Sequence, residues 1–249
     1  MTFRIESGRG WKMFLGESLE WLRERGAETV DGLVTDGPYS SGGLHAGSRR
    51  ASVGKKYVQS KARLAGPEFD GDSRDQRSFL AWSMVWLTDA YRVVRAGGPA
   101  CVFSDWRQLP ITTDAFQGGG FIWRGVAVWT KGGQCRPAMG RFRADAEFVV
   151  WGSRGAMRAR KSVGCLPGTF TVAPVSSQRR VHITEKPVEV MRQVVRVVPR
   201  GGVVLDPFAG SGSTGVACLR SGRQFIGIER DPQIFATACA RLRDAQRSL

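Results

Sequence analysis

The 249-residue sequence predicts an α/β fold, a doubly wound and mainly parallel sheet with helices on both faces. Three observations carry that prediction. Short apolar runs alternate with amphipathic helical ones along most of the chain, the pattern of a parallel sheet covered on both sides. A glycine-rich turn, Gly210-Ser211-Gly212-Ser213-Thr214-Gly215, follows one apolar run and opens a helix. An early apolar run, residues 30–35, stops at Asp36-Gly37-Pro38-Tyr39, where Gly and Pro punctuate the end of a strand. Alone, that last stretch reads as ordinary turn chemistry; the rest of the chain decides whether it is more.

The elements follow in order. After the strand at 30–35, residues 78–95 place apolar side chains at helical spacing, and Gly97-Gly98 closes that helix. Residues 99–105 read as a buried strand, and 121–131 and 146–153 as two further β-rich runs. A helix at 188–198, a strand at 202–206, a helix at 214–221, a strand at 224–229 and a last helix at 233–247 complete the pattern. Two stretches break it. Residues 46–63 and 152–180 each hold six Lys or Arg and no acid, are rich in Gly and Ser, and show weak periodicity. They read as loops or inserts, either solvated surface or a bipartite basic face.

Composition narrows the function. Thirty-seven Lys and Arg face 22 Asp and Glu, a formal net charge of +15, which points to a polyanionic partner, most simply nucleic acid. No run approaches the apolar length of a membrane helix and the N-terminus lacks the apolar core of a signal peptide, so a cytoplasmic location is expected. Five scattered cysteines with no C-x-x-C pair, and only His45 and His182 as imidazoles, argue against a disulfide framework or a zinc site; no metal is expected.

The glycine turn is the strongest local signal. Gly210, Gly212 and Gly215 fit G-x-G-x-x-G, and Glu229 ends the next strand, where an acid can bind ribose hydroxyls. This suits a dinucleotide or another adenosine cofactor equally. Position is more telling. Only residues 216–249 follow Gly215, whereas a dinucleotide domain begins with this loop and needs most of its sheet downstream. The order is permuted.

In that order the residues resemble a known family, the β-group of DNA amino-methyltransferases, which use S-adenosylmethionine and serve restriction–modification systems. Asp36-Gly37-Pro38-Tyr39 resembles its D/N/S-P-P-Y/F motif, and Asp206-Pro207-Phe208-Ala209-Gly210-Ser211-Gly212 its F-x-G-x-G turn. His182-Ile183-Thr184-Glu185-Lys186-Pro187 is similar to its H-P-T-E-K-P element, Gly227 to Pro232 to the strand end with the ribose-binding acid, and residues 11–22 to its opening strand and turn. Gly37 stands where the family has proline, Glu17 where it has aspartate and Ile183 where it has proline.

The resemblance implies a Rossmann-like catalytic domain over residues 1–43, 76–151 and 182–249, with a DNA-facing basic insert at 44–75 and a short target-recognition region at 152–181. It implies catalysis by Asp36, Gly37, Pro38 and Tyr39, with the Asp36 carboxylate and the Gly37 carbonyl accepting from the target amine and Tyr39 stacking on a base flipped from duplex DNA. S-adenosylmethionine would meet Asp206, Phe208, Gly210, Gly212, Ser213, Thr214 and Glu229, with Thr184, Glu185 and Lys186 at its methionine end. Arg49, Arg50, Lys55, Lys56, Arg158, Arg160, Lys161, Arg179 and Arg180 would contact phosphates. An aspartate in the first motif position leans to adenine N6 over cytosine N4. Loss of the proline leaves a slower enzyme or a binding-only relative as the expectation. Homodimers are common in the family, but nothing in the sequence shows an interface. A nicotinamide oxidoreductase would explain the glycines and Glu229, but neither the permuted order nor the charge.

Overall fold

Strand β3 (Gly32–Thr35) sits near the middle of a nine-stranded sheet and ends one residue before Asp36. The computed structural model describes residues 3–38, 74–135, 139–174 and 186–249. Tyr39, Arg49, Arg50, Lys55, Lys56, Arg179, Arg180, Thr184 and Glu185 lie outside the described residues. The other strands are β1 (Arg4–Gly8), β2 (Trp11–Leu15), β4 (Pro99–Ser104), β5 (Ile122–Thr130), β6 (Ala146–Ser153), β7 (Thr169–Thr171), β8 (Val203–Asp206) and β9 (Gln224–Glu229). Helices are α1 (Ser18–Glu24), α2 (Gln76–Val93), α3 (Leu109–Gly118), α4 (Val188–Val195), α5 (Ser213–Arg220) and α6 (Pro232–Arg247).

The strand order is β1-β2-β9-β8-β3-β4-β6-β5-β7. From β2 to β4 every pair is parallel, as expected; β1, β6 and β5 join antiparallel at the flanks. The two late strands β8 and β9 stand between the two early strands β2 and β3, so the permuted motif order becomes a continuous parallel centre.

Alternation along the strands divides the core. Leu33, Ala100 and Val102 face α1, α2 and α3, packing with Trp21, Trp86, Leu87 and Phe116. Val34, Cys101 and Phe103 face the other way, toward α4, α5 and α6 with Val190, Val216 and Phe235. All six β4 residues are buried, as befits a strand covered on both faces. Thr35, Ser104, Asp206 and Glu229 thus end their strands on one edge of the sheet, where open α/β sheets bind ligands.

The basic stretch from 152 departs from a plain loop. Strand β6 runs through Ser153, and Thr169–Thr171 pairs in parallel with the end of β5. Because Ser153 pairs with Pro99, β6 finishes at the sheet edge opposite Asp36. Among the described residues no helix is long and apolar enough to cross a membrane. Cys101, Cys218 and Cys239 are buried, and burial pushes the Cys101 thiol up to about 12.

Candidate active site

Two motifs 170 residues apart meet at the C-terminal edge of β3 and β8. Leu33 of β3 pairs with Leu205 of β8, which brings Thr35 beside Asp206. The Thr35 hydroxyl donates to Asp206 Oδ1 (2.7 Å), the Thr214 hydroxyl to Asp206 Oδ2 (2.6 Å), and the Phe208 N–H to Oδ1 (3.1 Å). Asp206 therefore braces the glycine turn against β3 and the start of α5. It is almost completely buried, and desolvation raises its carboxyl to about 6 despite these donors, with the Asp36 charge adding to the rise.

The glycines differ in what they do. Gly210 (φ +51°) and Gly212 (φ +83°) adopt left-handed backbone, and a Cβ on Gly210 would meet no atom within 4 Å, so its face of the turn is open to a ligand. A Cβ on Gly215 would lie 2.6 Å from the Phe225 ring and 2.7 Å from Leu242, so that glycine serves close packing of α5 on β9 and α6. Glu229 ties the next strand to the turn. Its Oε2 accepts from Gly210 N–H (3.0 Å) and its Oε1 from Asp231 N–H (2.8 Å), while burial raises its pKa. Ser213 is buried near Arg241, which donates to the Ser211 carbonyl and hydroxyl, each at 2.8 Å.

Asp36 and Gly37 lie against this turn. A Cβ at Gly37 would stand 2.9 Å from the Phe208 ring, so glycine lets Phe208 pack directly on the motif's backbone. The ring is held on its other sides by Trp82 (centroids 5.4 Å) and Trp86 (5.2 Å, edge-on) of α2. Gly37 and Pro38 also line a small cavity with Trp82, Ser83, Trp86 and Phe103. Trp86 Nε1 and Ser83 Oγ are buried with no hydrogen-bond partner among the described residues.

Lys186, just before α4, is buried, and its ammonium lies 2.9 Å from Asp36 Oδ2 and 3.1 Å from Glu147 Oε2. It therefore sits on the Asp36 carboxylate and is no surface lysine. Sequence reasoning missed Glu147 and Lys131, whose Nζ lies 2.8 Å from Glu147 Oε1, because only folding brings the starts of β6 and α4 together. Burial alone would raise the Glu147 carboxyl; Lys186 and Lys131 outweigh it and hold it at about 2.

The predicted basic residues scatter more. Arg158 and Lys161 are exposed, but Arg160 donates to the Gly97 carbonyl (3.0 Å), before β4 and at the edge away from Asp36. On the Asp36 side, residues 131–145 join β5 to β6 and carry exposed Arg141, Phe142 and Arg143, while exposed Trp106 follows β4 with the Arg107 guanidinium 5.0 Å from its ring. The G-R-F-R alternation of base and aromatic was the signal for the first of these.

Comparison with known proteins agrees with this architecture. The family profile of N6/N4 DNA methylases, described as DNA methylase, matches residues 169–239, from β7 through the glycine turn into α6. YubD of Escherichia coli K12, classed by inference as a methylase, is 29% identical over 88% of this chain and 85% of its own length. The type II methyltransferase M.HindIII of Haemophilus influenzae is 23% identical over 80% of this chain and 82% of its own. In fold, the cytosine-N4-specific PvuII DNA methyltransferase superposes with a TM-score of 0.69 at 15% identity, covering 93% of this chain and 86% of that one. The M1.HpyAVI–SAM complex superposes at 0.67 with 22% identity, covering 93% and 98%. With both motifs in permuted order on one sheet edge, the chain is similar to the N6/N4 DNA methylases in part of its sequence and in fold.

Proposed function

We propose that the protein transfers a methyl group from S-adenosylmethionine to the exocyclic N6 of an adenine flipped out of duplex DNA. The observation that carries this reading is the contact between the two motifs: Asp36 and Gly37 stand at a strand end with Phe208 of the open glycine turn packed against them.

The residues suit the cofactor. Gly210 offers unobstructed backbone, Ser213 and Thr214 start α5, and the Glu229 carboxylate at the strand end can accept from ribose hydroxyls. Thr184, Glu185 and Lys186 belong to the methionine end in this reading, Lys186 reaching it from its seat on Asp36. When bound, S-adenosylmethionine supplies an electrophilic methyl group on a sulfonium. The chain's own part is to make a poor nucleophile competent, since the amine lone pair is conjugated into the base. Asp36 accepts one amine N–H and the Gly37 carbonyl the other, which draws the nitrogen toward tetrahedral geometry and aims its lone pair. As positive charge arrives on nitrogen, the Asp36 carboxylate stabilises it and takes up the departing proton along the same bond. Tyr39 offers its face to the flipped base. Arg49, Arg50, Lys55, Lys56, Arg158, Lys161, Arg179 and Arg180, joined by Arg107 and Arg141 on the near side, hold phosphates.

Transfer of labelled methyl to mixed-sequence duplex DNA, followed by nucleoside identification, tests the reading. N6-methyladenine is expected with the wild type, and Asp36→Ala should lower the rate at least about 100-fold. N4-methylcytosine would keep the reaction class and overturn the target; unmodified DNA under cofactor saturation would overturn the reading.

A further inference from the structure

Four alternating charges run in single file from the proposed acceptor across the sheet edge toward β5. Asp36 meets Lys186 at 2.9 Å, Lys186 meets Glu147 at 3.1 Å, and Glu147 meets Lys131 at 2.8 Å. They come from four places in the chain: the end of β3, the approach to α4, the start of β6 and the residue after β5. All are largely shielded, with side-chain exposures of 20%, 8%, 15% and 18% in that order. Each ammonium also rests on a ring, Lys186 5.5 Å from the centroid of Phe103 and Lys131 5.4 Å from that of Trp129. The proposed reaction uses Asp36 as acceptor and places Lys186 at the methionine end of the cofactor, and it gives Glu147 and Lys131 no part.

A buried ammonium 2.9 Å from Asp36 both orients that carboxylate and weakens it as an acceptor, because low-dielectric surroundings strengthen the attraction. Lys186 left with Asp36 alone would compete with the substrate amine for the same oxygens. A second carboxylate on the far side of the ammonium relieves that competition. We propose that Glu147, itself held by Lys131, is a positioning residue for methyl transfer: it shares the Lys186 cation, so that Asp36 is oriented without losing its acceptor strength. This rests on the reading of Asp36 given above.

The sign of the effect follows from the charge removed. Removing the Glu147 charge makes the surroundings of Asp36 more positive, and removing the Lys131 charge makes them more negative. Among the described residues Asp206 also bears on Asp36, and neither change alters it.

The test is the pH dependence of kcat for methyl transfer to mixed-sequence duplex DNA, with the wild type, Glu147→Gln, Glu147→Asp, Lys131→Met and Asp36→Ala compared. Glu147→Gln should lower kcat about 10-fold, less than loss of a group that touches the reacting atoms. Its KM for cofactor and DNA should stay within about twofold, and the acid limb of its profile should move to lower pH. Lys131→Met should move that limb to higher pH, and Glu147→Asp should recover part of the rate. Opposite shifts are the signature, because a folding defect lowers active fraction without moving either limb. Wild-type profiles in both variants, with losses tracking a lower Tm, would overturn the proposal. So would equal losses in Glu147→Asp and Glu147→Gln. Undiminished transfer by Asp36→Ala would instead sink the reading of Asp36 on which this rests. An inactive Asp36→Ala beside unshifted profiles would sink only the role of Glu147. Should Glu147→Gln fail to fold, the Lys131→Met shift alone decides.

Discussion

A single missing side chain at position 37 shapes the site more than any residue present there. The glycine replaces a rigid proline, and the sequence reads that as lost preorganisation. In the structure the space is used, since the Phe208 ring occupies the position a Cβ would crowd, backed by Trp82 and Trp86. Gly37→Ala should therefore raise the KM for S-adenosylmethionine several-fold, about 3- to 10-fold if the ring's displacement costs about 1 kcal/mol; steady-state kinetics at saturating DNA checks it. Gly37→Pro should not accelerate the enzyme. Asp206 gives a second prediction. Its folded-state pKa, about 6, lies above the ordinary carboxyl value of 3.8, so the native state binds the extra proton and stability falls as pH rises from about 4 to 6. Asp206→Asn should flatten that slope in a series of Tm measurements. Glu147 acts in the opposite sense: with a pKa near 2, its contribution is present above about 4.5 and is lost as pH falls toward 2. Asp36 and Glu229 were legible because each ends a strand in a recognisable string. Glu147 and Lys131 were not, because their partners come from distant sequence.

The elements that positioned the site were the easiest to read. The strand before Asp36, the strand before Asp206 and the helices flanking them carry strong periodicity and clear punctuation. Those missed are weak for identifiable reasons. Strand β1 is an exposed edge that owes its form to pairing with β2. Helix α3 opens on Leu109-Pro110 and includes adjacent threonines, poor helix formers rescued by burial of Thr112, Ala115 and Phe116. Strand β7 has three residues. Helix α2, which presents Trp82 and Trp86 to Phe208, depends on its first turn. Asp75 accepts from the N–H groups of Arg77 (3.0 Å) and Ser78 (2.8 Å). Asp75→Ala should lower the midpoint of denaturant unfolding, because the first-turn N–H groups lose their acceptor. Gly215→Ala should cost about 1–3 kcal/mol, because α5 has no room to move off the Phe225 ring.

For the molecule as a whole, charge and topology have separate consequences. An excess of 15 positive charges predicts DNA affinity that falls linearly on a log–log salt plot. Arg141→Ala, exposed on the Asp36 side, should reduce the slope by about 1. Arg160→Ala should leave the slope unchanged and lower Tm, since Arg160 is spent on the Gly97 carbonyl. Topology acts earlier in the protein's life. Strands β8 and β9 belong between β2 and β3, yet a ribosome makes them nearly 170 residues later. Until then the nascent chain carries two unpaired inner strand edges, the kind of surface that chaperones shield and neighbouring chains capture. No fragment that stops before residue 203 can close the sheet or bring Asp206 to Thr35. Methylating capacity should thus arise abruptly, once the segment carrying β8 and β9 has been made, and never before it.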